Sequence, residues 1–141
     1  MPATAIRAAI VGIASVLLVG AAPGAALAET LSFKAELAPV DGTGSKAAGS
    51  LSADYDTATK KFTWSGTYRG LGTYATAGSF HGPPGAHSGF VRLRNIDSPF
   101  EGTAILSDKQ GEDLTAGLWS IVIRTAAFPK GELRGQLVRA N

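Results

Sequence analysis

The chain has 141 residues, no cysteine, and 13 lysines and arginines against 11 acidic residues, for a formal net charge of +2. Cysteine nucleophiles, thiolate metal sites and a disulfide framework are excluded, so stability must come from a packed core. The cations are scattered, with Lys60-Lys61 the only adjacent pair. A phosphate-tracking surface needs a cluster, so nucleic acid is not an expected partner.

Residues 1–28 have the layout of a secretory signal peptide. One cation, Arg7, precedes an apolar run from Ala8 to about Ala22, and small residues lead to Ala26-Leu27-Ala28. The expected cut follows Ala28. The apolar run is shorter than the roughly 20 residues of a membrane-spanning helix. No later segment is long and apolar enough to span, so no membrane span is expected after cleavage. The product is expected to be exported, to a periplasm or beyond the cell. Without Arg7, residues 29–141 carry 12 basic against 11 acidic residues, enough chain for one domain.

From Glu29 onward, turn formers separate short alternating runs. Leu31, Phe33, Ala35 and Leu37 alternate with Ser32, Lys34 and Glu36. Residues 38–50 are polar and glycine-rich and read as a long loop. Phe62 and Trp64 lie on one side of the next run, Thr63 and Ser65 on the other. Val91 and Leu93 alternate with Arg92 and Arg94, while Phe90 and Ile96 fall in the arginine register. Ser107 to Gly117 predicts a short helix, with Ser107 or Asp108 as N-cap, acids early and a closing glycine, although Gly111 interrupts it. Trp119 to Ile123 is a dense run expected of a strand covered on both faces. Leu133 and Leu137 alternate with Glu132, Arg134 and Gln136. The pattern predicts an all-β domain: an antiparallel Greek-key-like sandwich or barrel of about eight strands with one short helical crossover.

Chemistry could reside in four groups of residues. His81 and His87, the only histidines, flank a Gly-Pro-Pro-Gly turn that includes Gly82 and Pro83. Copper or zinc would need converging ligands, which a folded loop could supply from these two imidazoles. The simpler reading is a strand-end histidine bonded to backbone and an exposed loop histidine, with no cofactor. Ser79, Ser88 and Ser98 lie near the histidines, yet no nucleophile elbow surrounds them, and turn hydroxyls account for them. The pairs Asp54/Asp56 and Glu112/Asp113 fit a turn and a helix start. No enzymatic activity is expected from these residues. In the fourth, Glu132 and Arg134 stand i, i+2 after the Phe128-Pro129-Lys130-Gly131 turn. They could pair with each other or clamp neighbouring strands.

"FHGPPGAHSGFVRL" and "IVIRTAAFPKGELRGQL", taken together, closely resemble the CHRD (chordin-type) domain. The family typically reads H-I-H-G-P in the middle and N-x-H-T…P-x-G-E-x-R-G-Q-L at the end. The likeness extends over nearly the whole of residues 29–141, and Gly131 to Leu137 is its most specific part. It implies an all-β, extracytoplasmic module with no established enzymatic activity, acting by binding an unassigned ligand or as a structural unit. The matching positions here are His81, Gly82, Pro83, Thr125, Pro129, Gly131, Glu132, Arg134, Gly135 and Gln136. Two histidines of the pattern are replaced, by Ser79 and Arg124. If the family's histidines bind metal, this chain keeps one ligand and adds a permanent cation. His81 and Arg124 are therefore expected to be neighbours on adjacent strands, in a pocket suited to a carboxylate or phosphate. The expected partner is a protein or a small anionic ligand. The alternative is a periplasmic copper or zinc protein using His81 and His87.

Overall fold

The computed structural model describes residues 29–83 and 90–141. The expected leader over 1–28 lies outside them, as do Pro84, His87 and Ser88. Nine strands and one helix follow in chain order. They are β1 (Thr30–Pro39), β2 (Ala48–Asp56), β3 (Lys61–Arg69), β4 (Ala75–His81), β5 (Phe90–Arg92), β6 (Phe100–Ile105), α1 (Asp108–Thr115), β7 (Ser120–Thr125), β8 (Leu133–Gln136) and β9 (Val138–Arg139). Hydrogen bonding links them in the order β5-β4-β7-β8-β1-β2-β3-β6, and the two-residue β9 adds to β1. Every pairing is antiparallel. The sheet rolls into a nearly closed barrel, and its two end strands, β5 and β6, line one cleft. The expected all-β Greek-key-like barrel is what forms. The long loop is shorter than expected, because β1 runs on to Pro39 and β2 begins at Ala48.

Period-two alternation decides which side chains fill the barrel. Leu31, Phe33, Ala35 and Leu37 of β1 are all buried, as are Leu51, Ala53 and Tyr55 of β2. Phe62, Trp64, Phe80 and Trp119 meet at the centre with ring centroids 5.1 to 5.9 Å apart, mostly edge-on or tilted. Such contacts add about 0.5–1.5 kcal/mol per pair beyond burial. Gly102 lets β6 lie directly on Trp64, since a Cβ there would come within 2.5 Å of the indole.

The helix follows its sequence signals. Ser107 caps it by accepting the Gln110 amide at 3.1 Å, and the Gln110 side chain accepts the Ser107 amide at 2.8 Å. Gly117, at φ +81°, follows its end. Gly111, the residue that weakens the helical pattern, has a packing reason: a Cβ there would meet the Tyr55 hydroxyl at 2.3 Å.

One end of the barrel is organised by a buried acid. Glu132 has no exposed surface. Its carboxylate accepts the Ser45 hydroxyl at 2.6 Å, the Gly72 amide at 3.1 Å and the Thr125 hydroxyl at 2.9 Å. These donors come from the β1–β2 loop, the β3–β4 loop and the end of β7. Main-chain bonds from Glu132 N–H to Ile123 C=O and from Val40 N–H to Glu132 C=O, both 2.8 Å, complete the junction. The Thr125 oxygen also accepts the Phe128 amide at 3.1 Å, which folds the turn before Glu132.

Burial alone would push the Glu132 carboxyl up. The bonds from Ser45, Gly72 and Thr125 outweigh it and hold the pKa below the ordinary glutamate value. The stabilisation is therefore present above the unfolded-state pKa and is lost as pH falls through the lower folded-state value. Denaturant melts of Glu132→Gln should show a loss of about 1–3 kcal/mol at neutral pH, since an amide nitrogen replaces one acceptor among buried donors. The same variant should show a flatter acid limb; an unchanged acid limb would remove Glu132 as its cause. Phe80→Ala, which empties the centre of the aromatic cluster behind the candidate site, should cost about 3–5 kcal/mol in the same melts.

Candidate functional site

The outer face of β4, β5 and β7 carries the candidate site. Phe80 and Ile121 face the core, so their neighbours along each strand face outward. The register places Ser79 opposite Val122 and Arg92, His81 opposite Ser120 and Phe90, and Ala77 opposite Arg124. On the next strand Arg134 stands opposite Val122. Arg92 and Arg124 thus flank Ser79 on the two adjacent strands, with Arg134 one strand further, on a sheet whose other side is aromatic core. Leu93, Arg94 and Ile96, just past β5, close one wall. The resulting hollow is about 520 Å³, and its lining includes Ser79, His81, Arg92, Arg94 and Arg124.

Within it, Ser79 Oγ and His81 Nε2 share a 2.6 Å hydrogen bond. The imidazole stacks on Phe90, centroids 5.7 Å apart at 19°, and the Arg92 guanidinium lies over the same ring at 5.4 Å. Desolvation lowers the His81 pKa, and the charges of Arg124 and then Arg134 lower it further. Both effects favour the neutral imidazole over the imidazolium. Among the described residues the ion pairs are Lys60–Asp108 and Lys109–Asp113. No carboxylate of these residues pairs with Arg92, Arg94, Arg124 or Arg134. Four guanidiniums without counter-ions on one face of the sheet leave positive potential directed at solvent.

The Ser79–His81 bond is half of a nucleophilic dyad by distance. The rest of the geometry opposes that use. Ser79 is 1% exposed, so substrate has no approach to Oγ. The charged groups acting on the imidazole are cations, whereas a triad orients its base with an acid. Metal binding meets a similar obstacle. Among the described residues no three His, Cys, Asp or Glu side chains cluster. The Nε2 atom is already engaged by Ser79, and the nearby guanidiniums would repel a cation. His87, the second imidazole of the metal reading, lies outside the described residues.

The other motif residues are dispersed along the strands. Gly82 and Pro83 lead out of β4. Thr125 and Glu132 form the buried junction at the barrel end, with Pro129 and Gly131 in the turn between them. Glu132 takes hydroxyl and amide donors, and Arg134 points outward on β8, so the i, i+2 pair is not an ion pair. Gly135 lets β8 approach β1, because a Cβ would sit 2.6 Å from the Glu36 carbonyl. The Gln136 side chain donates to the Gly117 carbonyl at 2.6 Å. Asp54 accepts the Ser32 hydroxyl at 2.7 Å, and Asp56 accepts the Ala58 and Thr59 amides of the β2–β3 turn. Asp113 is buried beside Lys109 on α1, while Glu112 is exposed. Sequence reasoning did not assign Arg92, Arg94 and Phe90 to the site. Their shared register was the available signal, but the partner strand was not visible in it.

A search of curated proteins gave no match, and neither did a search of solved structures. A family model, the CHRD domain, matches residues 28–137. That span takes in β1 to β8, the arginine-lined face and the Glu132 junction. The chain belongs to the CHRD domain family, a family of non-catalytic modules.

Proposed function

We propose that the chain is an exported binding module that takes a carboxylate or phosphate group on the outer face of β4, β5 and β7. The observation that carries this reading is a cationic face with no carboxylate partner among the described residues: Arg92, Arg94 and Arg124 line the hollow together with His81, and Arg134 stands beside it on β8. Guanidiniums bind carboxylates and phosphates through paired hydrogen bonds. The aromatic core behind β4 keeps the strands, and so the side-chain spacing, rigid. Support for export comes from the leader-like residues 1–28 and from the typically extracellular location of CHRD domains. No described helix is long and apolar enough to cross a membrane.

Calorimetric titration with phosphate and with succinate should show binding that weakens with added salt. Arg124→Gln should weaken it by at least about tenfold. Retention of full affinity in that variant would overturn the reading. An anion beside His81 favours its protonated form, so binding should raise the His81 pKa, and affinity should rise as pH falls toward it. A ¹H–¹⁵N histidine titration with and without phosphate reads this shift directly. For export, N-terminal sequencing of the secreted product should begin at Glu29; an intact leader would count against it.

A further inference from the structure

The barrel has a seam, and its two edges are of a kind that accepts a strand. Leu93 N–H donates to the Gly78 carbonyl at 2.9 Å, which sets the phase of the β4–β5 ladder. Val91 then bonds Phe80, and the backbone groups of Phe90 and Arg92 turn away from β4. On the other side, Leu106 N–H donates to the Lys60 carbonyl at 2.9 Å. Phe62 and Ala104, and then Trp64 and Gly102, are the bonded pairs, so the backbone groups of Glu101, Thr103 and Ile105 turn away from β3. Among the described residues no strand pairs with either edge. The two edges face one cleft of about 1030 Å³. Unpaired edges of this sort are normally blunted or covered.

The cleft wall also indicates the chemistry of an occupant. Phe90 is 51% exposed and Ile105 69%, giving an apolar grip on each side. Lys61, Arg92 and Arg94 line the cleft against one acid, Glu101. Phe90, Arg92, Leu93 and Arg94 line both this cleft and the arginine hollow, so the two form one continuous surface. Trp64 forms the floor, and its buried indole N–H has no hydrogen-bond partner.

We infer that the ligand is an extended, acidic segment of a partner protein, which adds as a strand along β6 and places its carboxylates among Arg92, Arg94 and Arg124. The inference rests on the anion-binding reading above and names the ligand's class. Because β5 and β6 run in opposite directions, one inserted segment is antiparallel to only one of them. The six-residue β6, with three residues presenting unpaired backbone groups, is the better template for an antiparallel ladder. Main-chain bonds then supply affinity, and the acidic side chains supply specificity.

The test uses the purified protein and a fluorescent peptide of about six alternating valines and threonines ending in two aspartates. Anisotropy should give micromolar binding. A peptide N-methylated at alternate residues should lose at least about tenfold, as should one ending in two lysines. Thr103→Pro, which removes an amide facing the cleft and the Thr103 hydroxyl's bond to the Phe62 carbonyl but none of the main-chain β3 ladder, should lose binding while keeping its melting temperature within a few degrees. The N-methylated peptide makes the test independent of that variant's folding. If succinate and the N-methylated peptide bind as tightly as the parent peptide, the strand-addition inference fails and the anion site survives. If the peptide binds equally well in Arg124→Gln, the anion reading fails while the cleft survives. A protein that dimerises on its own, and dissociates in Thr103→Pro, would show the cleft to be filled by a second copy and would overturn the proposal.

Discussion

A carboxylate sealed from water either takes up a proton or finds donors, and the fold depends on Glu132 finding them. Its three donors come from three separate chain segments. Satisfying one buried acid therefore fixes the β1–β2 loop, the β3–β4 loop and the turn into β8 at once. Those segments set where β4 begins and where β7 ends, and these two strands carry His81 and Arg124. The junction makes no contact with ligand in the proposed reading. It acts on the site through the register of the strands that leave it.

The second constraint is the alternation along β4. Phe80, fully buried, sits in the aromatic cluster, while Ser79 and His81 on either side face out. A single residue of slip would bring the histidine into the core and Phe80 into solvent. The cluster of Phe62, Trp64, Phe80 and Trp119 is thus both the energetic centre of the barrel and the rigid backing of the arginine face. Arg124, with Arg92 and Arg94, makes that face cationic beside Ser79 and His81. The lowered pKa of His81 is a consequence, since burial and two guanidiniums both disfavour the imidazolium.

Much of this was legible in the residues. Period-two runs and turn formers indicated antiparallel strands, and the Ser107 cap with its closing glycine marked α1 closely. Gly111 showed the limit of such reading: it weakens a helix by propensity, and only the Tyr55 hydroxyl against it explains why it is there. The i, i+2 spacing of Glu132 and Arg134 suggested a shared face. Arg134 follows the β8 alternation outward, while Glu132 precedes the strand and its side chain is drawn under the loops.

The sequence by itself determined the barrel's inside and outside, because hydrophobic alternation is a local property that each strand carries alone. It also determined that His81 and Arg124 belong to neighbouring strands, through the family likeness of the two motifs. Only the tertiary structure decided which side chains meet across strands. The arginines of β5, β7 and β8 come together because residues distant in sequence share a register, and nothing in one strand specifies its partner. The same holds for Glu132, whose donors lie as far off as Ser45 and Gly72, and for the seam between β5 and β6. Whether a rolled sheet closes depends on the lengths and pairing of all its strands together, and no single segment contains that information.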